Sequence, residues 1–245
     1  MPPIKLHKHL IFIAAICAAG LFSARADEPV EISGITEPFM DVTLGLADAG
    51  IIHEQFFKEG DAVKKGDVIL ELDKNLETLE VVRRKSVMDQ NKMVYDSTLT
   101  LSQNTKSISQ EDLSKAEAEY DVSAAEYQIA IQQLANRQLT APFSGKITEI
   151  LLRPGSPVAP YQPLARLVDT SRCYFTGHIE GVAAANLQLD EPVKIEVDGG
   201  QTVSGKIYFI SPTVDAASGL VKVKAIFDNA DGKIRPGLAA KMSVE

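Results

Sequence analysis

Apolar positions in residues 50–73 (GIIHEQFFKEGDAVKKGDVILELD) and 145–169 (GKITEILLRPGSPVAPYQPLARLVD) share one register. A constant offset of 95 residues aligns Ile52 with Ile147, Glu54 with Glu149, Phe57 with Leu152, Gly60 with Gly155, Val63 with Val158, Ile69 with Leu164 and Leu72 with Leu167. Within the first copy, short apolar runs alternate with Gly-centred turns. This predicts strands near 51–58, 62–63 and 68–72, with Gly60 and Gly66 in the turns. Gly155 takes the place of Gly60 in the second copy, and Gly145, which opens that copy, is also read as structural. A unit of about 24 residues is too small to bury a core alone. The two copies are therefore expected to pack on each other, with everything between them inserted.

After Asp73 the periodicity changes from two to a helical repeat. Residues 74–101 contain neither Gly nor Pro, and Asp73 is a candidate N-cap. Val87, Val94 and Leu101 recur every seven residues, flanked by Met88 and Tyr95. A polar turn is expected at 103–107. A second helix then starts with Ser109 as cap and Asp112 three residues on, and Ile108 and Leu113 are placed as a hydrophobic staple. Leu113, Tyr120, Tyr127 and Leu134 follow at heptad spacing, the signature of a coiled-coil seam. Tyr120 and Tyr127 are thus expected to face the first helix. Two helices of about 28 residues, each about 40 Å long, make an antiparallel hairpin that returns the chain to the second copy.

Outside the repeat the pattern is β-rich. Before it, Val30 and Ile32, then Val42 and Leu44, predict two short strands split around Glu37-Pro38. After it, candidate strands lie at 172–180, 192–198, 201–210, 219–228 and 238–245, with a short helix at 182–187. Turns are marked by Gly219, Asp231-Gly232 and the structural pair Pro236-Gly237. Strands at this spacing suggest a small antiparallel barrel. The fold class expected is mainly β with an inserted antiparallel coiled-coil hairpin: an elongated chain with a biotinyl/lipoyl-like module and a small β-barrel. The expected domains are a signal peptide (1–26), a strand segment packing with the barrel (27–40), a split lipoyl-like domain (41–73 with 139–169), the hairpin (74–138) and the barrel (170–245).

Composition narrows the function. Of 245 residues, 45% are hydrophobic and the formal net charge is −8, so the chain is globular and poorly suited to binding a nucleic-acid backbone. It has no tryptophan, which disfavours a stacking platform. Residues 1–26 read as a secretory signal: Lys5 and Lys8, an apolar run at 10–22, and an Ala24-Arg25-Ala26 cleavage site. The run is short for a membrane span. Once the leader is removed, Cys173 is the sole cysteine, so no disulfide framework follows. Its strand context reads as a buried structural thiol. No catalytic, cofactor-binding or metal-binding constellation is present in the sequence. His53 and His178 lie in different regions, Met40, Met88, Met93 and Met242 are scattered, and no phosphate-cradling G-x-x-x-x-G-K-[ST] occurs. No enzyme activity and no cofactor are expected.

The split repeat, the hairpin inside it, Ala141-Pro142-Phe143-Ser144-Gly145 and Arg235-Pro236-Gly237-Leu238 together resemble a short form of the periplasmic adaptors (membrane fusion proteins) of haemolysin-secretion and efflux systems. The resemblance implies an adaptor in the periplasm of a Gram-negative bacterium. It would be a homo-oligomer around a transport path, held at the inner membrane by an RND- or ABC-type transporter and reaching an outer-membrane channel. It also implies that the hairpin tip (Leu99, Leu101, Ser102, Lys106, Ser109 and Asp112) contacts the outer partner. Two departures stand out. The Arg-x3-Leu-x6-Ser docking pattern of many pump adaptors would put Leu and Arg at Ser102 and Thr98, counting back from Ser109, and no arginine lies between Arg84 and Arg137. Nor do residues 27–49 or the end of the chain suggest the membrane-proximal domain usual in drug-pump adaptors. Two alternatives stand beside the adaptor: a lipoyl- or biotin-type carrier, with Asp73-Lys74 at the modified turn, and a non-transport envelope scaffold.

Overall fold

The computed structural model describes residues 31–105 and 109–244. In chain order the elements are β1 (Glu31–Gly45), β2 (Gly50–Gln55), β3 (Ala62–Val63), β4 (Val68–Leu72), α1 (Asn75–Thr105), α2 (Gln110–Ala135), β5 (Gln138–Thr140), β6 (Gly145–Ile150), β7 (Pro157–Val158), β8 (Pro163–Glu180), α3 (Gly181–Ala184), β9 (Pro192–Val197), β10 (Gln201–Ile210), β11 (Leu220–Asp228) and β12 (Ala239–Val244).

One sheet runs β5-β4-β2-β7 and a second contains β8-β6-β3 with β1 beside β8. The 95-residue offset maps each strand of the first onto one of the second. The core between them obeys the same rule. Its 14 buried residues form seven offset pairs: Leu44 with Leu139, Leu46 with Ala141, Ile52 with Ile147, Val63 with Val158, Ile69 with Leu164, Leu70 with Ala165 and Leu72 with Leu167. The repeat therefore extends further upstream than position 50, to the end of β1 and to β5. Full burial of such a side chain stabilises by roughly 1.5–3 kcal/mol, so neither copy holds its strands without the other.

The second core fills a closed ring of six antiparallel strands, β1-β12-β9-β10-β11-β8, in which β8 pairs back to β1. Phe175, Ile195, Ile207, Val223 and Met242 are completely buried within it. The fold class read from the sequence is the one observed. The loop from 229 to 238 is pinned from inside: Asn229 donates to the carbonyls of Thr170 and Ile234 (both 2.9 Å) and accepts from the Ile234 N–H. Gly237, at φ 101°, donates its N–H to the Thr36 carbonyl at 2.7 Å.

Several expectations need correction. The two short strands expected around Glu37-Pro38 are one 15-residue strand, β1. Pro38, which has no N–H to contribute, is accommodated by a register shift between Pro38 and Met40. The barrel strand expected at 172 begins at Pro163, so β8 serves both cores. The short helix is only Gly181–Ala184. Gln103, Asn104 and Thr105 belong to α1 rather than to a turn, because polar residues cost a helix end little. The expected staple residue Ile108 lies outside the described residues, as do the signal-peptide residues 1–26, Val30 and Lys106.

The hairpin seam also differs in register. Val87, Val94 and Leu101 are 37%, 49% and 48% exposed. Among the residues of α1 partly withdrawn from solvent, Val81, Met88 and Tyr95 alternate with Glu77, Arg84 and Asn91. Polar groups hold half of these positions because they have partners across the seam. Arg84 pairs with Glu126, Arg137 with Glu77 at 2.5 Å, and the Asn91 amide donates to the Glu119 carbonyl at 3.2 Å. On α2, the small residues Ala116, Ser123 and Ala130 are buried at seven-residue spacing, between the half-buried Leu113, Tyr120, Tyr127 and Leu134. Tyr95 and Tyr120 stack across the seam with centroids 6.0 Å apart and planes 3° from parallel.

Candidate partner-contact sites

α1 and α2 span about 46 and 39 Å at 1.5 Å per residue and leave the β module at adjacent strands, β4 and β5. At the base, the Asp73 carboxylate accepts from the Asn75 N–H at 3.1 Å. Arg137 clamps the return: its guanidinium donates to the Ala49 carbonyl at 2.7 Å and to Glu77 at 2.5 Å, while its own carbonyl accepts from the Leu72 N–H. The sequence reading did not single out Arg137. Its isolation as the first arginine after Arg84 was the available signal.

At the tip, Ser109 and Asp112 are consumed by the cap. The Ser109 Oγ accepts from the Asp112 N–H at 3.1 Å and donates to the Asp112 carboxylate at 2.7 Å. The hydroxyls of Thr98 and Thr100 donate back to carbonyls four residues earlier. Ser102 and Leu99 are half-buried, and Leu101 projects outward. Among the described tip residues, the Ser109 and Asp112 side chains are thus bonded to each other and the Thr98 and Thr100 hydroxyls are satisfied within α1.

On the outer barrel wall, side chains from three strands form a continuous row. The Arg172 guanidinium lies 3.7 Å from the Phe39 ring centroid, Phe39 meets Tyr174 at 5.6 Å, and Tyr174 meets Tyr208 at 5.3 Å. Lys224 bonds Glu37 at 2.9 Å beside Tyr174. Partial burial pushes the Glu37 carboxyl up, but the Lys224 ammonium bonded to it, with Lys222 nearby, outweighs this and holds it below its ordinary value. Aromatic and Arg side chains of this kind are enriched where proteins meet.

Lys74, the modification point in the carrier alternative, is not presented on a tight turn. Its ammonium sits 2.5 Å from the Glu71 carboxylate at the foot of α1. Burial raises the Glu71 pKa, but Lys74, Gln138 and the nearby His53 together bring it below the usual carboxylate range. Cys173 is buried, and desolvation pushes its thiol up to about 11, as suits a structural thiol. Among the described residues no three His, Cys, Asp or Glu side chains are grouped to hold a metal, and no helix is long and apolar enough to cross a membrane.

The turn glycines reveal one further position. Four equivalent turns, 58–61, 64–67, 153–156 and 159–162, each close with the fourth residue's N–H bonded to the first residue's carbonyl. A turn of this geometry needs positive φ at its third residue. Gly60, Gly66 and Gly155 supply it at 91°, 93° and 89°; at the fourth turn the residue is Tyr161, at φ 59°. The left-handed region costs a non-glycine residue about 1–2 kcal/mol. The offset of 95 pairs Tyr161 with Gly66, so this oddity was available from the sequence but not taken up. Gly145 has a different role: a Cβ there would stand 2.5 Å from the Val168 carbonyl oxygen, so a side chain would force β6 from β8.

Comparison with known proteins accords with this architecture. Residues 42–170 match the barrel-sandwich hybrid domain of RND membrane fusion proteins, and residues 171–245 match the β-barrel domain of the same proteins. An uncharacterized protein of Haemophilus influenzae is 26% identical over 218 residues, 88% of this chain and 57% of that protein. The nodulation protein NolF of Rhizobium meliloti is 30% identical over 111 residues, 44% of this chain and 30% of its own length. The chain thus spans little more than half of one relative and less than a third of the other. Among solved structures, a MacA–MexA chimera carrying the α-hairpin domain of Pseudomonas aeruginosa MexA superposes with TM-score 0.75 at 20% identity, over 89% of this chain and 81% of that one. A putative efflux transporter from Bacteroides eggerthii gives 0.70 at 22%, over 89% and 68%. The membrane fusion protein Spr0693 of Streptococcus pneumoniae gives 0.69 at 17%, over 88% and 98%. These three are similar in fold. With the family match covering the whole β module, hairpin and barrel, the chain belongs to the RND-type membrane fusion proteins.

Proposed function

We propose that this protein is a non-enzymatic periplasmic adaptor. It oligomerises around a transport path and links an inner-membrane transporter to an outer-membrane channel. The observation that carries this reading is the hairpin: two paired helices of 31 and 26 residues project from the β module, which puts residues 99–112 at the end furthest from it. The tip residues Leu99 and Leu101 then meet the outer partner, and the missing arginine makes that contact mainly apolar. At the other end, the row of Arg172, Phe39, Tyr174 and Tyr208 on the barrel meets the inner-membrane component. In this reading residues 41–73 with 139–169, residues 74–138 and residues 170–245 act as body, arm and seat.

Photo-crosslinkers placed singly at Leu101 and at Tyr208 in growing cells test it. The expected products are an outer-membrane protein from position 101 and a transporter from position 208. If neither position captures a partner and deletion leaves export of toxic compounds unaltered, the adaptor reading fails and a scaffold role replaces it.

A further inference from the structure

The foot of the hairpin holds one guanidinium between two carboxylates. Arg137 belongs to the β module: its carbonyl accepts from the Leu72 N–H at 2.8 Å, and β5 begins at the next residue. Its side chain is shared between two neighbours. Nη1 donates to the Ala49 carbonyl, in the loop from β1 to β2, at 2.7 Å, and Nη2 donates to Glu77, in the first turn of α1, at 2.5 Å. The second carboxylate, Asp48, is the residue before Ala49. It lines one polar cavity of about 510 Å³ together with Ala49, Glu77, Gln133, Asn136 and Arg137. Among the described residues Asp48 takes no hydrogen bond or ion pair of its own. Lys74, also at the foot, does not compete for it, because Glu71 holds its ammonium at 2.5 Å.

The seat on Glu77 is incomplete. The Arg137 Nε is buried and, among the described residues, has no acceptor, and a buried donor left unmade is costly. The pair itself is largely withdrawn from water, with side chains 21% and 18% exposed. A charge in such a place is expensive to leave without its partner. When α1 tilts and takes Glu77 with it, the guanidinium therefore needs another carboxylate, and Asp48 stands on the cavity that it already lines. The loop also leaves it room. A Cβ at Gly50 would stand 2.9 Å from Leu72 Cδ1 and 3.2 Å from Arg137 Nη1. Gly50 is not among the residues at positive φ, so glycine serves there for space and not for a turn.

We propose that Arg137 is a latch with two seats. With Nη2 on Glu77 it ties the first turn of α1 to the module and fixes the angle of the arm. With Nη2 on Asp48 it bonds the module alone, and the arm keeps only its two chain links. Glu77 travels with the arm and Asp48 does not, so the choice of carboxylate and the angle of the arm are one equilibrium. The device does not depend on the adaptor reading.

The experiment uses the full chain with nitroxide labels, carried on unnatural amino acids, at the exposed positions 103 on the arm and 201 on the barrel. Pulsed dipolar spectroscopy gives the distribution of distances between them. The parent chain is expected to show a main distance and a minor second one. In Asp48→Asn the second is expected to fall about tenfold, the loss of one charge-assisted hydrogen bond. In Glu77→Gln it is expected to become the larger of the two. Thermal unfolding of the barrel should be the same in all three chains. An unchanged distribution in Asp48→Asn would show that Arg137 has a single seat and would overturn the proposal. So would a Glu77→Gln chain that keeps the parent distribution, since Glu77 would then not hold the arm. Should Glu77→Gln melt the hairpin, Asp48→Asn still decides, because it leaves every bond of the Glu77 seat in place.

Discussion

Of the 18 residues in β8, nine are fully buried; of the 31 in α1, none of the described side chains is. The β body holds its shape by burial, with 14 core residues in the module and 17 in the barrel. The hairpin has one thin seam in which small residues and paired charges replace a core, supported by ion pairs along α1. Glu80 binds Arg83 and Arg84 at 2.6 and 2.7 Å, and Lys85 and Lys92 bind Asp89 and Asp96. Exposed pairs of that kind are screened by solvent and contribute little each. The arm is the part that local changes should melt, and the body the part that only core changes should disturb.

The strongest way to break this contrast is in the barrel. Phe175→Ala removes the largest completely buried side chain and should destabilise by about 3–5 kcal/mol, lowering the midpoint of the β signal in denaturant titration. In the arm, Tyr127→Asp puts a charge on the seam and should cost about 1–3 kcal/mol. Ellipticity at 222 nm and protease resistance of residues 74–137 should fall while the barrel transition stays in place; if both transitions move together, the two regions are not separable. Ser109→Ala should cost about 1 kcal/mol through loss of the α2 cap, read as faster amide exchange confined to the first turn of α2.

The smallest expected effect is of pH. The hydrogen bonds from Arg83 and Arg84 depress the Glu80 carboxyl from 4.5 to about 2. A depressed acid contributes stability above its unfolded value and loses it as pH falls through the folded one. The hairpin's helical signal should therefore weaken between pH 4.5 and 2, by less in Glu80→Gln than in the parent chain, with the barrel's β signal unchanged by the substitution.

Why some features were legible and others were not follows from the same contrast. The repeat was visible because buried strands must keep apolar residues in step, so Ile52 and Ile147 or Leu72 and Leu167 mark each other. The fold class and the Ser109 cap follow from equally local rules. The seam register was not visible, because Glu77, Arg84 and Asn91 occupy it through partners more than 25 positions away in sequence, and hydrophobicity pointed to Val87 and Val94 instead. The continuity of β1 was hidden by Pro38, whose tolerance depends on a bulge that no local pattern announces. For the docking residues the sequence offered only a family pattern, and Ser109 and Asp112 are spent on each other.

β1 and β8 pair at 11 positions, from Gly34 with Gly177 to Gly45 with Pro163, with register shifts only between Pro38 and Met40 and between Leu44 and Gly45, and so link both cores. A two-stranded ribbon of that length is a girder. Torque applied to the barrel passes along it into the module with no joint to absorb the turn, apart from those two register shifts. The hairpin has no such continuity: it is attached by two short links, at 73–74 and 136–137, steadied by the Arg137 fork. Bending is therefore concentrated at one elbow, and a small rotation there sweeps the far end of an arm about 46 Å long through a wide arc.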